Sequence, residues 1–234
     1  MKLNAPVDNF VPKLYPAGDV TQWFGENKAL YSKAVCYQNV GCLQGHNGID
    51  IVGPHGSPIY CVSGGVVVEV KLDAGGFGKH VRVLDNDSEW VYGHLSQINV
   101  TVGQNIASGE VLGLMGNSGF VVSGATPYWK YNPYAGTHLH LGRRKFTPYS
   151  GSGSWSISYA TGDKGTIENY MNGFFGAVPI TAEDFEDVPP KTTQTLEMTL
   201  QSLENNALEA EKQGKTTQAN IIRAIKGIVI AFWG

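Results

Sequence analysis

The chain between about residues 19 and 146 alternates apolar residues with polar or small ones, a pattern that predicts β-strands. Residues 78–95, GKHVRVLDNDSEWVYGHL, contain two alternating runs around DNDS, which predicts a hairpin with its turn at 85–88. The runs within 56–72 and 100–119 are short and are divided by glycines. Because no segment with helical spacing interrupts these runs, we predict a mostly β fold, an antiparallel β-sheet or sandwich.

The pattern changes after Pro189-Pro190. Apolar residues recur there at intervals of three and four, as on one face of a helix, at Leu196, Leu200, Leu203, Ala207 and Ala210. A second, more apolar helix is predicted after Gly214. We therefore expect a domain with an N-terminal extension at 1–188, a linker at 189–194 and a C-terminal α-helical hairpin or tail at 195–234. These helices either mediate self-association or docking to a partner, or pack back on the sheet domain.

Composition excludes some classes of partner. The formal net charge is −3 and no basic run occurs, which argues against a nucleic-acid partner. No stretch reaches the roughly 18 apolar residues of a transmembrane span. The three cysteines are Cys36, Cys42 and Cys61. Cys36 and Cys42 either close a short loop as a disulfide or remain free thiols, and their spacing is not that of a zinc ribbon.

Histidines mark three separate segments of the predicted sheet. In an extended strand, residues two or four apart project from the same face, so His138 and His140 lie side by side about 7 Å apart. His46 and Asp50 share a face in the same way, and His94 ends a strand. Imidazole and carboxylate groups that converge on one point are ligands that suit zinc. The other two histidines, His55 and His80, are expected to have ordinary surface or hydrogen-bonded roles.

The order of these motifs resembles that of a known family. HNGIDI, YGHL, the glycine-rich GNSG and HLH occur in sequence within about residues 40–145. This set resembles the lysostaphin-type (LytM-like) zinc endopeptidases that cut bacterial peptidoglycan. The resemblance implies that zinc binds to His46, Asp50 and His140, and that His94 and His138 form the catalytic pair. Three protein ligands leave a fourth position for water, which is typical of a catalytic zinc site.

A long loop at 120–137 departs from the usual short connection in this family and carries several aromatic residues. We expect it to form part of a substrate groove, or else to fold on its own aromatic side chains. The predicted substrate-binding residues are Tyr92, Asn117, Tyr128, Trp129 and Tyr134. The glycines at 75–76 and 116–119 are expected to let a peptide backbone approach closely.

Three functions are compatible with these residues. The first is a zinc-dependent endopeptidase that hydrolyses a cross-bridge or stem peptide of peptidoglycan, and the presence of every anchor residue favours it. The second is a non-catalytic wall-binding or regulatory protein on the same fold. The third is a structural or virion component with secondary lytic activity. Because the N-terminus lacks the apolar run of a signal peptide, we expect a phage-delivered, virion-associated or lysis-released protein that acts at the bacterial cell wall.

Overall fold

A computed structural model of the chain describes residues 2–37, 41–72, 75–123, 126–130, 132–148, 155–167 and 177–185, with Glu204, Thr216, Asn220 and Arg223 as single positions. The chain divides into two compact units, Met1–Asp187 and Val188–Gly234. The predicted linker and C-terminal helices fall, apart from those four positions, outside the described residues. The helical hairpin and the predicted domain bounds therefore stay predictions.

The described elements are short strands with little helix. The helices are α1 (Lys28–Ala34) and two 3-10 turns, Tyr128–Lys130 and Ala182–Asp184. The strands are β1 (Val20–Gln22), β2 (Cys36–Tyr37), β3 (Gly41–Cys42), β4 (Ile49–Val52), β5 (Pro58–Tyr60), β6 (Gly65–Leu72), β7 (Lys79–Leu84), β8 (Ser88–Gly93), β9 (Gln97–Ile98), β10 (Asn105–Ile106), β11 (Val111–Leu114), β12 (Val122–Ser123), β13 (Thr126–Pro127), β14 (His138–Pro148), β15 (Trp155–Ser158) and β16 (Lys164–Ile167).

One large sheet dominates the fold. Its strands follow the order β1-β4-β14-β8-β7-β6-β10, with β16 paired to β14 and β15 paired to β16. A smaller sheet has the order β5-β11-β9. All pairs between these strands are antiparallel, which confirms the predicted mostly β, antiparallel fold. The hairpin is also confirmed, since β7 pairs with β8 and the Asp85 carboxylate accepts the N–H groups of Asp87 and Ser88 in the turn.

Alternation along the central strands separates the core from the functional face. Ile49 and Ile51 of β4 and Leu139 and Leu141 of β14 are fully buried in one core with residues of the smaller sheet. Because successive side chains of a strand point to opposite faces, Asp50 and His140 project from the other face of the large sheet. On each of these strands, alternate residues therefore pack in the core, and the residues between them project toward the site.

The region before the motif residues contributes a helix and a small hairpin. Cys36 of β2 and Cys42 of β3 form a disulfide, which decides between the two alternatives for these cysteines. Cys61 is a free, buried cysteine in the core. Among the described residues, no helix is long and apolar enough to cross a bilayer.

Candidate metal centre

Three side chains from the open face of the large sheet converge on one point. His46 Nε2 lies 3.0 Å from His140 Nδ1 and 3.2 Å from Asp50 Oδ1. His140 Nδ1 lies 3.1 Å from the same Asp50 oxygen. The three atoms therefore form a nearly equilateral triangle. These are the residues for which the resemblance predicts metal ligation, and the structure brings all of them together.

Strand pairing places the ligands. β14 lies between β4 and β8, with His140 directly opposite Asp50 on one side and Gly93 on the other. His46 reaches the same point from the turn just before β4. Gly48 leaves the space for the His140 ring, because a Cβ at Gly48 would lie 2.8 Å from His140 Nε2 and 2.5 Å from the Leu141 carbonyl oxygen.

The triangle fits a zinc ion. Tetrahedral zinc binds nitrogen and oxygen at about 2.0–2.2 Å, so its ligand atoms lie about 3.3 Å apart. The observed separations of 3.0–3.2 Å are close to this value. Hydrogen bonding alone does not account for the convergence. Two ring nitrogens and a carboxylate oxygen all face one another, and a single N–H on His140 Nδ1 cannot donate fully to both neighbours.

The electrostatics keep the ligands in the protonation states that metal binding needs. Burial lowers the pKa of His140 to about 4, so the ring is neutral near pH 7. Burial by itself raises the pKa of Asp50, but His46, His138 and His140 outweigh it and hold this pKa well below its ordinary range. A neutral imidazole and an ionised carboxylate are the forms that bind zinc.

His94 and His138 lie beside the ligands with their rings 4.7 Å apart, centroid to centroid. Nδ1 of His94 lies 2.8 Å from the Ser118 carbonyl oxygen, and Nδ1 of His138 lies 2.7 Å from that of Gly136. A carbonyl only accepts, so in both neutral rings the hydrogen is on Nδ1 and Nε2 has a free lone pair. His138 Nε2 is 3.6 Å from Asp50 Oδ1. Burial and the neighbouring His138 and His140 hold the pKa of His94 well below its ordinary value.

Aromatic rings pack against both ligand histidines, and the sequence analysis missed them. Tyr31 of α1 stacks on His46 with ring centroids 5.5 Å apart and an interplanar angle of 29°. Phe77 packs on His140 at 4.9 Å. The outward nitrogens, His46 Nδ1 and His140 Nε2, are buried and have no hydrogen-bond partner within the described ranges. Ring packing therefore orients these imidazoles. Tyr31 lies outside the matching motifs, so no sequence signal marked it.

Two predicted substrate-binding residues face the protein instead. Tyr92 is fully buried, because its position in β8 points to the core, and its hydroxyl accepts the Val62 N–H at 2.9 Å. The prediction for Tyr92 is therefore wrong. Asn117 is also buried, and its side-chain amide donates to the Ala135 carbonyl at 2.8 Å. Asn117 thus anchors the aromatic loop and offers no exposed amide to a substrate.

The remaining predicted substrate residues differ in position. A cleft of about 900 Å³ contains the metal centre, and Tyr128 lines it with Phe120 and Val122. Tyr134 is 67% exposed and lies outside that lining, and its ring centroid is 5.1 Å from that of His55. Trp129 lies in the 3-10 turn, but its side chain is outside the described part of the structure.

The two glycine-rich segments also have different roles. Gly75 and Gly76 line the cleft, and a Cβ on Gly76 would meet nothing within 4 Å. Gly116 packs against the chain near His94, because a Cβ there would lie 2.5 Å from the Ser96 nitrogen. The expectation of close peptide approach therefore fits the first segment and is wrong for the second.

The large sheet thus brings two histidines and an aspartate to one point that could hold a metal ion, with two further histidines beside it. The sequence profile described as peptidase family M23 matches residues 44–151. This range contains every ligand and both neighbouring histidines. Residues 44–151 therefore match a peptidase family M23 domain, and this match covers somewhat under half of the chain.

Curated relatives are similar over the same region. Endolysin 2638A of Staphylococcus phage 2638A is 31% identical over 99 residues, which cover 41% of this chain and 18% of the relative. Glycyl-glycine endopeptidase ALE-1 of Staphylococcus capitis is 27% identical over 141 residues, 56% of this chain and 39% of the relative. Lysostaphin of Staphylococcus staphylolyticus is 33% identical over 78 residues, 32% of this chain and 16% of the relative. The chain thus spans well under half the length of each.

Proposed function

We propose that this protein is a zinc-dependent endopeptidase that hydrolyses peptide bonds in bacterial peptidoglycan. The observation that carries the proposal is the triangle of His46, Asp50 and His140 ligand atoms, with sides of 3.0–3.2 Å, inside an M23 domain. The names of the relatives, an endolysin, lysostaphin and a glycyl-glycine endopeptidase, support a peptidoglycan substrate.

The residues around the centre have distinct roles in this proposal. His46, Asp50 and His140 hold the zinc ion, which when bound polarises a carbonyl and lowers the pKa of its water to about 7. His138 and His94 present unprotonated Nε2 atoms in the cleft. One of them accepts the proton of the attacking water as general base. That histidine, once protonated, donates a hydrogen bond to the oxyanion and then transfers the same proton to the leaving amine.

The state of His94 supports this assignment. Because burial and the neighbouring His138 and His140 hold the pKa of His94 well below its ordinary value, this ring is neutral near pH 7 and its Nε2 can accept a proton. The carbonyls of Ser118 and Gly136 keep the hydrogen on Nδ1, so each base points its lone pair in a fixed direction. This geometry suits the two histidines to proton transfer, and in this proposal neither of them binds the metal.

We also propose the wider organisation of the chain. The M23 domain would lie within 1–188, followed by a linker at 189–194 and a helical segment at 195–234 that mediates self-association or docking. Delivery by a phage, association with a virion or release on lysis fits the endolysin relative, and the site of action is the bacterial cell wall.

The test uses the purified full chain loaded with zinc on isolated peptidoglycan from cell walls of known cross-link type. We expect one zinc per molecule by metal analysis, loss of turbidity, and new amino termini in the released muropeptides by mass spectrometry. His138→Ala is the matched control, which keeps zinc and releases little. Zinc binding with no new amino termini from any wall type would instead support the non-catalytic wall-binding alternative.

A further inference from the structure

A second polar cluster lies on the same face of the large sheet as the metal centre and reaches the same cleft. We call it the salt-bridge cluster, and its members are Lys71, Glu69, His80, Arg82, Glu89, Arg144 and Tyr159. Lys71, His80 and Arg82 line the cleft. Phe77 joins the two sites, since its ring packs on His140 at 4.9 Å and contacts His80 at 5.7 Å, centroid to centroid.

The inner part of this cluster is saturated. Glu89 is fully buried and accepts hydrogen bonds from Arg82, Arg144 and Tyr159. Glu69 Oε1 is 3.0 Å from His80 Nε2 and 2.8 Å from Arg82 Nε. His80 Nδ1 faces the Gly78 carbonyl oxygen at 2.8 Å. Both nitrogens of His80 therefore face oxygen atoms of the protein.

The outer part of the cluster has an excess of positive charge. Lys71, opposite His80 in the β6–β7 register, is more than half exposed, with its side chain 54% accessible. Glu69 Oε2 lies 3.7 Å from the Lys71 nitrogen, but Oε1 of the same carboxylate pairs with Arg82, so among the described members of the cluster Lys71, Arg82 and Arg144 share only the carboxylates of Glu69 and Glu89. Among the described lining residues the sole carboxylate is Asp50, which faces the metal centre. The cleft next to Lys71 therefore attracts an anion.

We propose that Lys71 is a specificity-determining residue that selects peptides bearing a free carboxylate a few residues from the scissile bond. This inference rests on the proposed endopeptidase function. In the strand order β14-β8-β7-β6, Lys71 on β6 lies three strands from His140 on β14, roughly 14 Å at about 4.8 Å per strand, which is about four residues of extended peptide at about 3.4 Å each. Direct cross-links between stem peptides carry such carboxylates, whereas a glycine bridge has no charged side chain. The substrate class is therefore the stem-peptide cross-link.

The test compares two synthetic stem-peptide dimers that differ only in having free carboxylates or carboxamides. Binding is measured by calorimetry with the zinc-loaded full chain carrying His94→Ala, so that turnover is slow compared with the titration. We expect the carboxylate dimer to bind about three- to fivefold more tightly, the upper end of what a partly exposed ion pair provides. The preference should shrink in 0.5 M NaCl, where the Debye length falls to about 4 Å.

Variants at Lys71 separate charge from shape. Each variant is made in the His94→Ala protein. Lys71→Met should bring the ratio of the dissociation constants of the two dimers to about one, and Lys71→Glu should make the carboxamide dimer the tighter ligand. Lys71→Arg should keep the preference for the carboxylate dimer. Lys13→Met, an exposed lysine outside the described cleft lining, is the control and should retain the preference. Circular dichroism and zinc content verify that each variant is folded.

The outcomes distinguish this inference from the function on which it rests. Equal affinity for both dimers in the Lys71 protein, with hydrolysis of cell walls intact, overturns the inference and leaves the proposed function standing. A preference that survives Lys71→Met also overturns it, because the carboxylate is then read elsewhere. Failure of the zinc-loaded wild type to bind either dimer or to cleave any wall overturns both.

Discussion

The metal centre and the salt-bridge cluster occupy the same sheet face and share Phe77 as a neighbour. They differ in the balance of hydrogen-bond donors and acceptors. In the metal centre, His46, Asp50 and His140 turn three acceptors toward one point. In the salt-bridge cluster, Glu69 Oε1 and both carboxylate oxygens of Glu89 accept hydrogen bonds from N–H or O–H donors. The first arrangement calls for a cation, and the second is complete without one.

This comparison shows how the same residue type acquires different roles. His80 and His140 are both buried histidines that project from the same face of neighbouring parts of the sheet. His80 has an acceptor at each nitrogen, so it is a structural donor. His140 has an acceptor-rich side and a side without a partner among the described residues, which suits the metal-ligand role proposed for it. The count of donors and acceptors around each ring, rather than burial, separates the two roles.

Removing a ligand carboxylate should have the largest effect. We expect Asp50→Ala to lose zinc and to reduce turnover on the order of 10⁴-fold, because the ion supplies several kcal/mol of transition-state stabilisation. Metal analysis and muropeptide release measure the two losses. Glu69→Gln is the matched change in the salt-bridge cluster and should keep zinc. Zinc retention by Asp50→Ala at wild-type affinity would contradict the assignment of the metal centre.

Removing a base beside the metal should separate metal binding from turnover. His138→Ala and His94→Ala are expected to keep zinc and to lose about 10²- to 10⁴-fold in kcat, the usual range for general acid–base catalysis. Equilibrium dialysis against a zinc buffer gives the affinity, and single-turnover assays give the rate. If His138→Ala lost zinc as fully as His140→Ala does, the roles of the two histidines in HLH would be exchanged.

Removing a buried carboxylate from the salt-bridge cluster should affect stability and leave the metal in place. Glu89→Gln leaves Arg82 and Arg144 buried without a full counter-charge, and we expect a loss of about 3–5 kcal/mol in the free energy of unfolding. Urea titration measures it. Glu69→Gln should cost less, because the Glu69 side chain is 28% exposed. Equal losses for the two variants would show that burial does not set the cost.

Filling the space beside His140 should weaken metal binding without touching a ligand. Gly48→Ala puts a Cβ 2.8 Å from His140 Nε2 and 2.5 Å from the Leu141 carbonyl oxygen, so the ring and the adjacent backbone must move, and we expect zinc affinity to fall about 10- to 100-fold. Gly142→Ala is the control on β14, because its Cβ would approach the same ring nitrogen only to an ordinary 3.4 Å. The position of the His140 ring is not critical if Gly48→Ala and Gly142→Ala bind zinc equally well.

The smallest effect is the pH dependence of the salt-bridge cluster. A hydrogen bond to His80, together with the charges of Arg82 and Lys71, outweighs the effect of burial and lowers the pKa of Glu69 from 4.5 to about 2. A lowered folded-state pKa gives stability that is present above pH 4.5 and is lost as the pH falls toward 2. Urea midpoints measured across that range should fall more steeply for the wild type than for Glu69→Gln. Parallel curves would show that Glu69 has its ordinary pKa in the folded chain.

Much of the site could be predicted from the chain because its groups lie within short motifs. HNGID and HLH place Asp50 and the two histidines by the two-residue repeat of a strand, and the structure brings them to one point with His46. Tyr92 was mispredicted because a residue's position in a motif does not tell which face of its strand is buried. Tyr31 and Phe77 were missed because packing across sequence-distant segments leaves no local pattern.

The sequence by itself determined the mostly antiparallel β fold, the 85–88 turn and the identity of the groups that gather at the metal centre. Local periodicity and turn chemistry act over a few residues and specify the strands and the turn, and the resemblance of the short motifs to a known family indicated the groups of the metal centre. Only the tertiary structure decided that His140 stands opposite Asp50 and Gly93, that Asn117 holds a loop, and that His80 is saturated by Glu69 and Gly78. Strand register and long-range packing decide such contacts, and a two-residue repeat fixes the face of a side chain without fixing its neighbour.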